Sequence, residues 1–157
     1  VAGAGTGVGE RSGGAAVLSG LYFEDLQLEQ SAEITRTVTA GVVEAFAEVT
    51  GDDNPLHLDD DYARATPFGQ RIAHGLLAGG FISAVLGTRL PGPGAVYVSQ
   101  SLRFRRPVAI GDQVTTRVTV TGLEPRRGQV TFSTVCAVAG KTVVEGEAVV
   151  IVPRRGA

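Results

Sequence analysis

The sequence predicts an α+β domain in which an antiparallel sheet curls around one central, mostly apolar helix. Three observations carry that expectation. A long segment from about Gly75 to Leu90 places hydrophobic residues on nearly every side of a helix. After it come stretches rich in Val and Thr, separated by turn residues: Ala95 to Phe104, Gln113 to Leu123, Gln129 to Ala139 and Lys141 to Val152. Ahead of it lies one strand followed by short helical segments, with no internal repeat.

Residues 1–19, rich in Gly, Ala and Ser, read as a flexible tail, and residues 20–157 as a single domain. The Gly3 to Gly9 run fails the spacing of a dinucleotide loop and follows no strand. From Ser31 to Val38 the pattern alternates, with Ala32, Ile34 and Val38 on one side. Thr39 reads as the N-cap of a helix whose apolar face is Val42, Val43, Phe46 and Ala47. Thr50-Gly51 ends that helix, and Pro55 keeps Asn54 out of helical conformation in the following turn. Asp59 to Ala65 suits another helical turn or two.

Leu76, Leu77, Phe81, Ile82, Val85 and Leu86 surround the central helix, which is therefore expected to be wrapped on all sides. Gly79, Gly80 and Gly87 weaken it by about 1 kcal/mol each against Ala, so close approach to its backbone is expected. Pro91-Gly92-Pro93-Gly94 stops it. Gly111-Asp112, Pro125 to Gly128 and Ala139 to Lys141 then connect neighbouring antiparallel strands.

Composition narrows the function. The chain has 157 residues, 43% of them hydrophobic, which is enough for a real core. A net charge of −2 gives no electrostatic case for nucleic acid as a partner. The apolar run from Ile72 to Thr88 sits near the lower limit of about 17 residues for a membrane span. It carries His74 and several glycines between Arg71 and Arg89, so a buried helix is expected and no membrane partner. The start, Val1-Ala2-Gly3-Ala4-Gly5, lacks the basic and apolar regions of a targeting segment. The single cysteine, Cys136, lies in an apolar run and reads as a buried structural thiol, consistent with a reducing, cytoplasmic setting.

The chemistry concentrates in Gly51-Asp52-Asp53-Asn54-Pro55-Leu56-His57. A carboxylate and an imidazole converging on one spot can take a proton from water and return one. Downstream, His74-Gly75 opens the apolar helix, whose free N–H groups suit a developing oxyanion. Asp52 alone would fit a hydrogen-bonded turn; its pairing with His57 points to an enzyme. Asn54 reads more as a shaper of the turn than as a substrate contact, and His74 as structural near the helix start. No HExxH or paired-Cys spacing is present, so no metal is expected. Ser83 lies in Ile82-Ser83-Ala84, not in a GxSxG elbow, which argues against a serine hydrolase.

These stretches, with Ile72-Ala73-His74-Gly75-Leu76 and Gln100-Ser101-Leu102-Arg103-Phe104, resemble the MaoC-like hydratases. The likeness is to the short (R)-specific enoyl-CoA hydratases that supply polyhydroxyalkanoate synthesis, and it spans roughly Val38 to Pro153. The resemblance implies a hot-dog fold, a homodimer, and syn hydration of trans-2-enoyl-CoA to (R)-3-hydroxyacyl-CoA. No metal or redox cofactor is implied, coenzyme A being part of the acyl-CoA substrate. Carried over by position, Asp52 and His57 match the catalytic pair and Gly75 the backbone donor to the thioester carbonyl. Ser83, Leu86 and Val149 fall near positions that line the acyl pocket in such proteins. Asp53 departs from the pattern, since relatives often carry an apolar or aromatic residue there.

Several assignments stay open at the sequence level. Ser83 either faces the pocket or bonds the helix backbone one turn back. Arg103, Arg105 and Arg106, with Arg126 and Arg127, either meet the phosphates of coenzyme A or form a solvated face. Two other functions compete with hydration: a hot-dog acyl-CoA thioesterase, and a non-catalytic acyl-thioester-binding subunit. The Asp52–His57 pair argues against both.

Overall fold

The computed structural model describes residues 19–157. The expected tail therefore lies outside the described residues, except for Ser19, as does the Gly3 to Gly9 run. Strand β1 (Ser31–Thr37) leads into helix α1 (Ala40–Thr50), the one-turn α2 (Pro55–Leu58), α3 (Asp60–Arg64) and the central α4 (Gly75–Thr88). Then follow β2 (Val96–Gln100), β3 (Arg103–Phe104), β4 (Gln113–Glu124), β5 (Gln129–Val138) and β6 (Lys141–Ile151). They form one six-stranded antiparallel sheet in the order β1-β4-β5-β6-β2, with β3 also paired to β6.

Alternation in the long strands decides which face meets the helix. On β4, Val114, Thr116, Val118 and Val120 are buried; on β5, Val130, Phe132, Thr134 and Cys136. Phe132 lies opposite Ala148 of β6 and Val120 of β4, all fully buried. Against this face α4 buries Leu77, Ala78, Phe81, Ile82, Val85 and Leu86. The Cys136 thiol contacts Thr116 Oγ1 at 3.4 Å, and burial pushes its pKa up, which fits the structural role.

Three expectations need correction. Leu76 is 62% exposed, so α4 is not wrapped all round: Leu76, Gly80, Ser83 and Gly87 form a stripe the sheet does not reach. Of Gly79, Gly80 and Gly87, only Gly79 has a neighbour, Leu102 Cδ1 at 3.4 Å from where a Cβ would stand. Gly80 and Gly87 face open space within this chain. The expected strand Ala95 to Phe104 is split in two. A Cβ on Gly146 would stand 1.8 Å from the Ser101 carbonyl oxygen, so the chain between β2 and β3 presses directly onto the β6 backbone there.

Candidate active site

Local folding places the Asp52–His57 stretch with few degrees of freedom. Thr39 caps α1 by accepting from the Val42 N–H at 3.2 Å, and Gly51 ends it at φ +78°. That left-handed conformation suits glycine and stops the helix. Asn54 then caps α2, its Oδ1 accepting from the Leu56 N–H at 3.1 Å, with Pro55 at the first helical position. His57 thus sits on a helical turn rather than on the open turn expected from the sequence, and Asn54 is used as a shaper of the backbone.

His57 is buried, and its Nδ1 lies 2.7 Å from the Ile72 carbonyl. A carbonyl only accepts, so Nδ1 carries the hydrogen and Nε2 is left for proton exchange. Arg71 Nε donates to the His57 carbonyl at 2.7 Å, gripping the same residue through its backbone. His74, at the N-cap of α4, stacks on His57 with ring centroids 3.9 Å apart and donates from Nε2 to the Asp52 carbonyl at 2.9 Å. The Asp52 carboxylate is exposed and accepts only a long contact from the Asn54 N–H, 3.4 Å. Its functional oxygens therefore remain available.

Gly75 follows immediately as the first residue of α4, where N–H groups have no partner a turn back. The Phe104 ring covers its Cα: a Cβ at that position would stand 2.8 Å from Phe104 Cε1. Only glycine leaves the helix start this close to an aromatic wall. His57, His74, Gly75, Phe104, Phe81 and Val38 are among the residues enclosing an apolar cavity of about 280 Å³.

The other sequence candidates fall elsewhere. Within this chain, the structure does not bring Ser83, Leu86 or Val149 to the cavity. Ser83 points outward on the uncovered stripe of α4, and Leu86 is 2% exposed in the core. Val149 lies on the sheet face opposite its buried neighbours Ala148 and Val150. Arg105 borders the cavity but is ion-paired to Glu145, which cancels its charge. Arg106 also borders it and donates to the Thr142 carbonyl at 3.0 Å. Arg103 is exposed on β3, while Arg126 and Arg127 occupy the β4–β5 turn away from the cavity.

A model of the MaoC like domain matches residues 24–145. The chain belongs to the MaoC-like family. It is 59% identical to an (R)-specific enoyl-CoA hydratase of Rhodospirillum rubrum, over 86% of this chain and 94% of that protein. It is 52% identical to a 3-hydroxybutyryl-CoA dehydratase of Methylorubrum extorquens, over 86% of each. Among solved structures it resembles the unliganded R-hydratase of Pseudomonas aeruginosa, with TM-score 0.83 and 42% identity. That match covers 87% of this chain and 88% of the other. The (R)-hydratase of A. caviae involved in PHA biosynthesis matches with TM-score 0.81 and 41% identity, over 83% and 99%. The hot-dog architecture expected from the sequence is therefore the fold of this MaoC-like chain.

Asp52, His57 and His74 bring donor atoms within 4.8 Å of one another. One nitrogen of each imidazole is already taken by a backbone carbonyl, and the stacked rings are only 30° from parallel.

Sequence reasoning missed two residues of the site. Arg71 was visible only as the flank of an apolar run, because its partner is a backbone carbonyl fourteen residues away. Phe104 ends the Gln100 to Phe104 stretch, but its contact with Gly75 joins β3 to α4 and leaves no local signal.

Proposed function

We propose that the protein is an (R)-specific enoyl-CoA hydratase, adding water reversibly and syn across trans-2-enoyl-CoA to give (R)-3-hydroxyacyl-CoA. The observation that carries this reading is that His57 and the free start of α4 share one apolar cavity, with a ligand atom of Asp52 within 4.8 Å of those of His57 and His74. The names of the relatives support the same hydro-lyase chemistry.

The geometry suits each requirement of hydration. Water oxygen bonds to C3 while the Asp52–His57 pair takes one of its protons; a proton is delivered to C2 on the same face. The π electrons shift toward the thioester carbonyl as C3 is attacked and return to form the C2–H bond. Negative charge on that oxygen meets the Gly75 N–H, where the helix dipole adds favourable potential. One water is consumed and no electrons are gained or lost, so the reading calls for neither metal nor redox cofactor. Coenzyme A enters as part of the substrate.

A homodimer belongs to the same proposal. Within one chain the stripe of α4 from Leu76 to Gly87 is uncovered, and the edge strand β2 exposes Val96, Tyr97 and Val98. A second copy would cover these surfaces. A cytoplasmic setting is in keeping with the free, buried Cys136.

The test is loss of enoyl-thioester absorbance with crotonyl-CoA, comparing wild type with Asp52→Asn and His57→Gln. Loss in wild type alone, with (R)-3-hydroxybutyryl-CoA as product, is the expected result. Release of free thiol would instead make the protein a thioesterase.

A further inference from the structure

Asp52 is the loosest part of the site. Every other hydrogen bond given to Gly51 through Asn54 is local: to Ala47, to Thr50, to Gly51 itself, to Asp52, or forward to Leu56 and His57. All four residues are exposed. Among the described residues, one bond ties this loop to a distant part of the chain, from His74 Nε2 to the Asp52 carbonyl at 2.9 Å. His74 is 4% exposed, packs its ring against Phe46 at 4.7 Å, and stacks on His57 at 3.9 Å.

The neighbours of His74 in sequence hold the remaining parts. Arg71 grips the His57 carbonyl and Ile72 fixes the His57 tautomer, while Gly75 presents the N–H for the oxyanion. The segment is itself pinned, by the Ala73 N–H to the Val108 carbonyl at 2.7 Å and a bridge between Ile72 and Ala109. Five consecutive residues on one anchored strap thus address both members of the pair and the oxyanion donor.

We infer that His74 is a positioning residue: its Nε2–H tethers the Asp52 peptide to this strap, and its ring holds the plane of His57. The inference rests on the hydratase reading for its kinetic consequence, but the contact itself does not. An Asp52 that drifts on a solvent-exposed loop loses the alignment in which water is attacked and proton returned. Binding of the acyl chain, which uses the apolar walls of the cavity such as Val38, Leu77, Phe81 and Phe104, is left in place because a ring or amide at position 74 still fills its share of the lining. The tautomer follows from the partners. Nε2 faces a carbonyl and must carry the hydrogen, whereas Nδ1 is buried without any acceptor, so a hydrogen there would be an unpaired donor.

Three substitutions separate the tether from simple packing. His74→Phe keeps a ring but removes the donor; His74→Gln keeps an amide N–H near the reach of Nε2; His74→Asn offers one only near Nδ1. With crotonyl-CoA, His74→Phe and His74→Asn should lose kcat by about 10- to 100-fold with KM within about twofold. His74→Gln should recover most of that loss. Equal damage in the Gln and Phe variants, unchanged kcat in His74→Phe, or a rise in KM alone would overturn the tether. The imidazole tautomers supply a readout independent of turnover. The chain contains only two histidines, so long-range ¹H–¹⁵N spectra of the wild type show two rings. One protonated at Nε2 and assigned to His74 supports the inference; His74 protonated only at Nδ1 overturns it. Failure of the wild type to hydrate any enoyl thioester sinks the hydratase reading instead, and the tautomers still judge the contact.

Discussion

Strand β5 buries Val130, Phe132, Thr134 and Cys136 in unbroken alternation, whereas the loop from Gly51 to Asn54 buries nothing. The strand is held twice over, by ladders to β4 and β6 and by the helix against its inner face. The loop is held by local turns and one long-range bond to His74. The difference teaches where damage will show. In the sheet, losing a side chain removes stability from a redundant structure. In the loop, losing a contact leaves stability nearly intact and removes geometry that chemistry needs.

Breaking the sheet side should give the largest effect. Phe132 is fully buried at the centre of the core, so Phe132→Ala should cost about 3–5 kcal/mol of unfolding free energy. Chemical denaturation measures it, and the folded fraction should keep its turnover. A loss below about 1 kcal/mol would mean the core collapses around the gap. On the other side, Asp52→Asn and His57→Gln should lower kcat/KM by about 10²-fold or more, equivalent to roughly 2.7 kcal/mol of barrier. Melting midpoints of the two variants should move by no more than a few degrees. Large melting shifts would show that the pair supports the fold, and the contrast between regions would fail.

The same contrast explains what could be read from the sequence. Alternation in β4 and β5, the Thr39 cap and the Gly51 stop are local patterns, and each appears where it was expected. The Asp52–His57 stretch and the His74-Gly75 helix start were legible because their spacing is short and their chemistry specific. What joins them was not. Arg71 to the His57 carbonyl, His74 to the Asp52 carbonyl and Phe104 on Gly75 are contacts between a side chain and somebody else's backbone. Backbone carbonyls carry no sequence letter, so such contacts leave no pattern. The exposed side of α4 escaped for a different reason. Helical periodicity in Leu76 to Leu86 reports hydrophobicity all round, and cannot say that a single sheet covers only part of it.

Gly75 sits where the two regions meet and gives an intermediate effect. A methyl there would collide with the Phe104 ring at 2.8 Å, but that ring is 54% exposed and can swing outward. Gly75→Ala should therefore cost little stability and lower kcat/KM by about tenfold, because the ring and the helix start no longer close on the thioester. Trimming the obstacle should help. The double variant with Phe104→Leu should recover part of the loss, giving a coupling of about 1 kcal/mol between two contacting residues. Strictly additive effects would show that Phe104 is not what demands glycine.

The smallest change sharpens the comparison most. Thr39 follows Val38, which lines the cavity and is itself bonded to Asp112 and Gly111 through its backbone. The Thr39 hydroxyl satisfies only the Val42 N–H at the start of α1, one end of a helix whose other end delivers Gly51 and Asp52. Thr39→Ala should cost about 1 kcal/mol of stability, the usual worth of an N-cap. If the site's alignment is set by the strap at residues 71–75, fraying at the far end of α1 should not reach Asp52, and kcat should stay within about twofold. A kcat loss matching that of His74→Phe would mean that α1, rather than His74, carries the position of the carboxylate. The Thr39 variant thereby asks which end of the loop holds it, at an energy small enough to leave the fold untouched.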